Sequence, residues 1–145
     1  MKYKLMAVDL DGTLLDENNV ITDNNKKSIQ KIKEAGVEIV IATGRMFISA
    51  LPYARELNLS GNVITYNGAY VKNIEDDKVL FQEPIPVAVA QSIIKECEKN
   101  NLHLNLYQND ILYVKEKNNL SRGYEKSCGV TAREVGSLSD FISKP

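Results

Sequence analysis

The stretch Leu5-Met6-Ala7-Val8-Asp9-Leu10-Asp11-Gly12-Thr13 decides the fold of this chain. Four apolar residues run straight into two carboxylates, a glycine and a hydroxyl. A short run that is apolar on both faces is the pattern of a buried parallel strand. Acids at the C-terminal end of such a strand lie in the crevice where open α/β sheets bind ligands. Asp9 and Asp11 are two apart, so an ideal strand points both to one face, and a bend at Gly12 lets them converge on one bound group.

Outward from this strand (about Lys4 to Asp9), the polar stretch Gly12–Ile21 contains Asp16-Glu17-Asn18-Asn19 and reads as a turn-rich loop or small hairpin. A helix is predicted over Asn24–Ala35, capped by Thr22 or Asp23, with Gly36 just past its end. Val37–Ala42 is a second strand, ending at Thr43-Gly44-Arg45. A strand, helix, strand unit of this length implies a right-handed parallel crossover, which brings Thr43 to the sheet edge that carries Asp9. A second helix is expected over Phe47–Leu57. Pro52 is tolerable there if the regular helix starts near Ser49. Asn62–Tyr66 is a third strand before the turn signal Asn67-Gly68, and short strands at Ala69–Lys72 and Val79–Gln82 flank the acidic tip Glu75-Asp76-Asp77.

The character changes at Glu83-Pro84-Ile85-Pro86, which reads as a linker between residues 1–83 and 84–145. A helix follows from Pro86 to Asn100, then strand alternation at Leu102–Leu106 and Ile111–Val114 around an Asn109-Asp110 turn, then a helix over Asn118–Ser127. The alternation puts His103 with Asn105 and Tyr107 on one sheet face. The tail from Gly129 is poorly patterned, with another helix beginning at Leu138–Ile142.

Of the 145 residues, 43% are hydrophobic, enough to bury a sizeable core, and the net charge of −1 carries no basic patch for nucleic acid. No apolar run is long enough for a membrane span, and Met1–Lys4 lead directly into the first strand with no room for a signal peptide. Cys97 and Cys128 form no metal spacing and no Cys-x-x-Cys, so the expectation is two free thiols in a reducing cytoplasm.

The acids suggest a chemistry. Neighbouring carboxylates push one another's pKa apart, so one keeps a proton while the other stays ionised, giving an acid/base and a nucleophile. A carboxylate attacking a phosphate dianion meets charge repulsion, which a bridging Mg²⁺ relieves. The Thr43 hydroxyl and the backbone N–H groups around Leu10–Gly12 are candidates to bind phosphoryl oxygens.

Asp9-Leu10-Asp11-Gly12-Thr13-Leu14 after an apolar strand resembles the first motif of the haloacid dehalogenase (HAD) superfamily. Ala42-Thr43-Gly44-Arg45 is similar to its second motif as written in Cof-type phosphatases with a large α/β cap, and Ile64-Thr65-Tyr66-Asn67-Gly68-Ala69 to the stretch that follows there. The resemblance implies a Rossmann-like α/β core with a parallel sheet, incomplete here, and the start of an α+β cap from residue 84. It implies Asp9 as a nucleophile that forms an aspartyl-phosphate and Asp11 as general acid, then base. It also implies Mg²⁺ on the Asp9 carboxylate and the Asp11 carbonyl, and phosphate binding by Thr43. Leu10, Gly12, Gly44, Arg45 and Asn67 are carried over as substrate- or phosphate-binding positions, and the substrate class is a small phosphorylated metabolite.

The family's lysine beyond the cap and its distal Gly-Asp-x-x-Asn-Asp segment have no counterpart in these 145 residues. The expectation is therefore the N-terminal portion of a longer protein, impaired or inactive alone. The apolar first strand is then expected to lack one neighbour and to invite self-association along that edge. Three rivals compete with the phosphatase reading. A Ca²⁺ loop wants its glycine at position six after a helix, and here it is at position four after a strand. A phosphoryl receiver has its acid on a later strand. A non-catalytic HAD-fold interaction module keeps the fold without the chemistry.

Overall fold

A computed structural model describes residues 2–142. The chain divides into two compact units, Met1–Glu83 and Pro84–Pro145.

In the first unit, β1 (Leu5–Val8) pairs in parallel with β2 (Glu38–Ile41), in the register Leu5 to Glu38 through Val8 to Ile41. The crossover helix α1 (Asp23–Glu34) starts where Thr22 Oγ1 accepts the Asn25 N–H at 3.2 Å. It gives way at Ala35 and Gly36, whose φ of +79° is left-handed. β2 passes its direction to β3 (Asn62–Thr65) through a parallel bridge between Ala42 and Ile64. β3, β4 (Tyr70–Asn73) and β5 (Val79–Gln82) form an antiparallel meander whose turn holds Glu75-Asp76-Asp77. Val8, Leu10, Ile29, Ile41, Ala50 and Val63 belong to one buried cluster. It joins the sheet to α1 and to α2 (Phe47–Glu56).

One expectation about this unit is corrected. The helix α2 begins at Phe47 and not near Ser49, so Pro52 lies in its second turn. The proline ring is on the exposed face, where the missing N–H costs the core nothing. β1 is patterned for burial on both faces, yet Leu5 is 53% exposed while Val8 is 6% exposed. Among the described residues β1 is hydrogen-bonded along one side only, by β2.

In the second unit, α3 (Val87–Lys99) precedes the hairpin of β6 (Leu106–Gln108) and β7 (Ile111–Val114). Asn109 and Asp110 turn it with φ of 52° and 58°, the pair of left-handed residues a two-residue hairpin needs. α4 (Asn119–Cys128) then returns the chain to β8 (Ala132–Glu134), parallel to β7, and α5 (Leu138–Ile142) follows. Leu102–Asn105 is not strand. The His103 ring is taken up instead by Asn105 Oδ1 (2.9 Å) and Asn118 Nδ2 (3.2 Å), and Asn118 is committed to capping α4. Polar side-chain bonds therefore outweigh the alternation of leucines that suggested a strand. β8 is the one element the sequence left unassigned; three residues with two charges carry no periodicity. Cys97 and Cys128 are partly buried and not joined in a disulfide, and no helix of the described residues is long and apolar enough to cross a membrane.

Candidate active site

β1 ends at Val8, and the backbone then makes a tight turn over Leu10–Leu14. The Leu14 and Leu15 N–H groups reach back to the carbonyls of Asp9 (3.3 Å) and Leu10 (2.9 Å). Within the turn Asp11 is extended and Gly12 is left-handed at φ 72°, a conformation that favours glycine.

Asp9 is exposed at the strand end, and its Oδ1 accepts the Leu10 N–H at 2.8 Å. Asp9 forms no ion pair among the described residues. Leu10 is itself fully buried, so only its backbone faces this site, and that N–H is held by Asp9.

Asp11 faces Arg45. The guanidinium Nε donates to Oδ2 at 2.8 Å and Nη2 to Oδ1 at 2.6 Å, a two-pronged charge-assisted pair. This hydrogen-bonded pair holds the Asp11 carboxyl below the usual carboxylate range, against the opposing effect of partial burial. The expected acid pair, with one member kept protonated by the other, is thus corrected: Asp11 answers to a cation, the Arg45 guanidinium bonded to both its oxygens.

Arg45 is 5% exposed, so its charge must be satisfied inside the protein. Besides Asp11, it donates to Asn19 Oδ1 (2.9 Å), Ser49 Oγ (3.4 Å) and the Tyr53 hydroxyl (3.5 Å). Its carbon Cζ lies 5.3 Å from the Tyr53 ring centre. Asn19, Ser49 and Tyr53 were not singled out from the sequence. One signal was present: Ser49 and Tyr53 are four apart on α2 and share a face, and Arg45 lies four residues before Ser49, just ahead of the helix.

The Thr43–Arg45 and Tyr66–Gly68 segments meet at the end of β2 and β3. Thr43 N–H donates to the Ile64 carbonyl (3.0 Å), Asn67 N–H to the Thr43 carbonyl (3.2 Å) and Tyr66 N–H to the Arg45 carbonyl (3.0 Å). Thr43 Oγ1 accepts the Arg45 N–H at 3.2 Å, which leaves its hydroxyl proton available to an incoming oxygen. A Cβ at Gly44 would sit 2.8 Å from Asn67 Oδ1, so any larger residue there must displace the Asn67 side chain. The backbone hydrogen bond from Ala42 N–H to the Val8 carbonyl, 2.9 Å, ties the ends of β1 and β2 together just before Asp9 and Thr43.

A family model described as haloacid dehalogenase-like hydrolase matches residues 6–140. The chain belongs to that family. It is similar to the 5-amino-6-(5-phospho-D-ribitylamino)uracil phosphatase YitU of Bacillus subtilis, 33% identical over 70% of this chain and 38% of the relative. It is also similar to the pyridoxal phosphate phosphatase YbhA of Escherichia coli, 30% identical over 77% of this chain and 41% of the relative. A solved haloacid dehalogenase-like hydrolase from Bacteroides thetaiotaomicron superposes with a TM-score of 0.86 at 26% identity, over 99% of this chain and 56% of that structure. The HAD-like α/β fold inferred from Leu5–Thr13 is thereby shown. The chain spans about two-fifths of the length of these curated relatives.

Proposed function

We propose that this chain carries the nucleophile and acid/base of a Mg²⁺-dependent phosphomonoester hydrolase acting on a small phosphorylated metabolite in the cytoplasm. The observation that carries this reading is the unequal surroundings of two carboxylates at one strand end: Asp9 exposed and outside any ion pair among the described residues, Asp11 held on Arg45. Environments that separate two acids assign them different roles.

In this reading an Asp9 carboxylate oxygen attacks phosphorus. The ester oxygen leaves as an alcohol, taking a proton from Asp11. Asp11 then removes a proton from water, whose oxygen attacks the aspartyl-phosphate, and inorganic phosphate and the Asp9 carboxylate are released. Arg45 keeps Asp11 a base at rest; the arriving phosphate dianion raises its proton affinity, so the same group serves as the acid. Thr43 and the turn at Leu10–Gly12 bind phosphoryl oxygens, and Gly44, Arg45 and Asn67 complete the pocket wall.

The Asp9 carboxylate and the Asp11 carbonyl are hard oxygen donors of the kind Mg²⁺ takes, though the described residues gather no group of three acidic, histidine or cysteine ligands. Bound there with waters and phosphate oxygens, Mg²⁺ would screen the repulsion between Asp9 and the phosphate. Residues 1–83 then form the N-terminal part of the core and residues 84–145 the N-terminal part of a cap, and the open side of β1 is a route to self-association. The names of the relatives support a phosphate carried on a small metabolite.

A second reading is a HAD-fold module that binds without turnover, in keeping with the described residues gathering no group of three candidate metal ligands. Hydrolysis of p-nitrophenyl phosphate with and without Mg²⁺, wild type against Asp9→Asn, separates the two. Mg²⁺-dependent hydrolysis that falls to background in Asp9→Asn supports the enzyme; equal rates in both proteins support the module.

A further inference from the structure

We infer that Asn19 and Tyr53 are positioning residues of this site, clamping Arg45 so that it presents Asp11 in one orientation. The inference rests on the reading of Asp11 as acid/base. It begins with a cost: a guanidinium that is 5% exposed is stable only if its N–H groups find acceptors in fixed directions. The Nε–Nη2 edge is given to Asp11, the second Nη2 proton to Asn19 Oδ1, and Nη1 faces Ser49 and Tyr53. Tyr53 also donates its hydroxyl to the Asn19 backbone carbonyl at 3.2 Å. Asn19, Arg45 and Tyr53 thus close a ring of mutual bonds with Asp11 on its open side.

The position of Asn19 makes this more than local support. Asn19 has φ 60° at the tip of a small hairpin, closed at its base by a Leu15–Ile21 bridge and shaped by Asp16 Oδ1, which accepts the N–H groups of Asn18 and Val20 at 2.9 Å each. That hairpin begins at Leu15, directly after the turn that holds Asp11. Its tip folds back onto α2, so the segment that follows the acid also grips the cation that orients it. Displacement of the tip releases Nη2 from Asn19 and lets the guanidinium rotate, carrying Asp11 with it. Misplacing a catalytic group by about 1 Å can cost about 10²-fold in rate.

The test uses the full chain. Asn19→Gly removes the acceptor while tolerating φ 60°; Asn19→Asp restores an acceptor; Glu17→Gly, in the same exposed turn, controls for a loosened hairpin; Tyr53→Phe removes only the hydroxyl. Two readouts are taken: water exchange of the Arg45 Nε proton by NMR, and phosphomonoester kinetics with Mg²⁺. Asn19→Gly is expected to speed that exchange about tenfold or more and to lower kcat about tenfold with KM within about twofold. Asn19→Asp is expected to recover both, and Glu17→Gly to move neither. Should Asn19→Gly fail to fold, Tyr53→Phe decides, with the same direction of change. Unchanged exchange in Asn19→Gly, or a kcat loss matched by Glu17→Gly, overturns the inference. If the wild-type chain hydrolyses nothing, the functional reading is what fails, and the exchange rate alone decides whether Asn19 and Tyr53 clamp Arg45.

Discussion

Replacing Asp11 by alanine leaves the Arg45 guanidinium inside the protein without its counter-charge. The two partners are unequally exposed, Arg45 at 5% and Asp11 at 53% of the side chain. Breaking a fully buried pair costs about 3–5 kcal/mol, whereas an exposed pair contributes about 0–1 kcal/mol. Water can reach the vacated Nε–Nη2 edge from the Asp11 side, so the expected loss lies between these limits, about 2 kcal/mol. Arg45→Met keeps an apolar stem and leaves Asp11 in solvent. The double variant Asp11→Ala/Arg45→Met should therefore recover part of the loss, a coupling of about 1.5 kcal/mol in a double-mutant cycle. The acid limb gives an independent check. Arg45 holds Asp11 below its ordinary 3.8, so the folded state binds a proton less readily than the unfolded chain. That contribution is fully present above the unfolded value and is lost as pH falls through the folded one. Wild type should lose stability below about pH 4 more steeply than Asp11→Ala does. Urea unfolding read on the amide resonances of β2 reports the Met1–Glu83 unit alone. A coupling below about 0.5 kcal/mol, or parallel acid limbs in wild type and Asp11→Ala, would refute the argument that burial of Arg45 makes the pair matter.

Two further outcomes are expected. Gly44→Ala places a methyl 2.8 Å from Asn67 Oδ1, the far end of a flexible and exposed side chain; stability should change by no more than about 0.5 kcal/mol, while the Asn67 side-chain amide resonance shifts and phosphomonoester kcat/KM falls, and an unmoved resonance contradicts this. Leu5→Lys puts a charge on the open side of β1 at a residue already 53% exposed. It should abolish the concentration-dependent growth in scattering mass expected of wild type, and a wild-type chain that stays monomeric at every concentration sinks the idea.

Much of the first unit was legible because local signals agree with the tertiary outcome. The β-branched run before Thr43, Gly36 after α1 and the Asn67-Gly68 turn each specify backbone geometry through steric limits that act within a few residues. The ends of β1 and β2, and so the placement of Asp9 and Thr43 at one sheet edge, follow from the handedness of a parallel crossover. The second unit was less legible. Leu102–Leu106 has the alternation of a strand, but capping of α4 by Asn118 draws His103 into side-chain bonds, and a pattern in the chain carries no information about such a distant partner. Pro52 was misplaced for a related reason: the exposure that makes it harmless in the second turn of α2 is a tertiary fact.

The site shows where sequence reasoning about chemistry stops. Spacing put Asp9 and Asp11 side by side and suggested mutual repulsion as the source of their different roles. The structure keeps the difference of surroundings and changes its cause. One acid is exposed and outside any ion pair among the described residues, and the other reaches a buried arginine. The asymmetry is therefore set by Arg45 and by Asn19 and Tyr53, which hold it, and not by the two carboxylates themselves. An exposed Asp9 beside an Asp11 kept ionised at rest suits a nucleophile and a base that becomes an acid only when a phosphate arrives. On that account substituting the partners of Arg45 should alter turnover through Asp11, while Asp9 keeps its own surroundings.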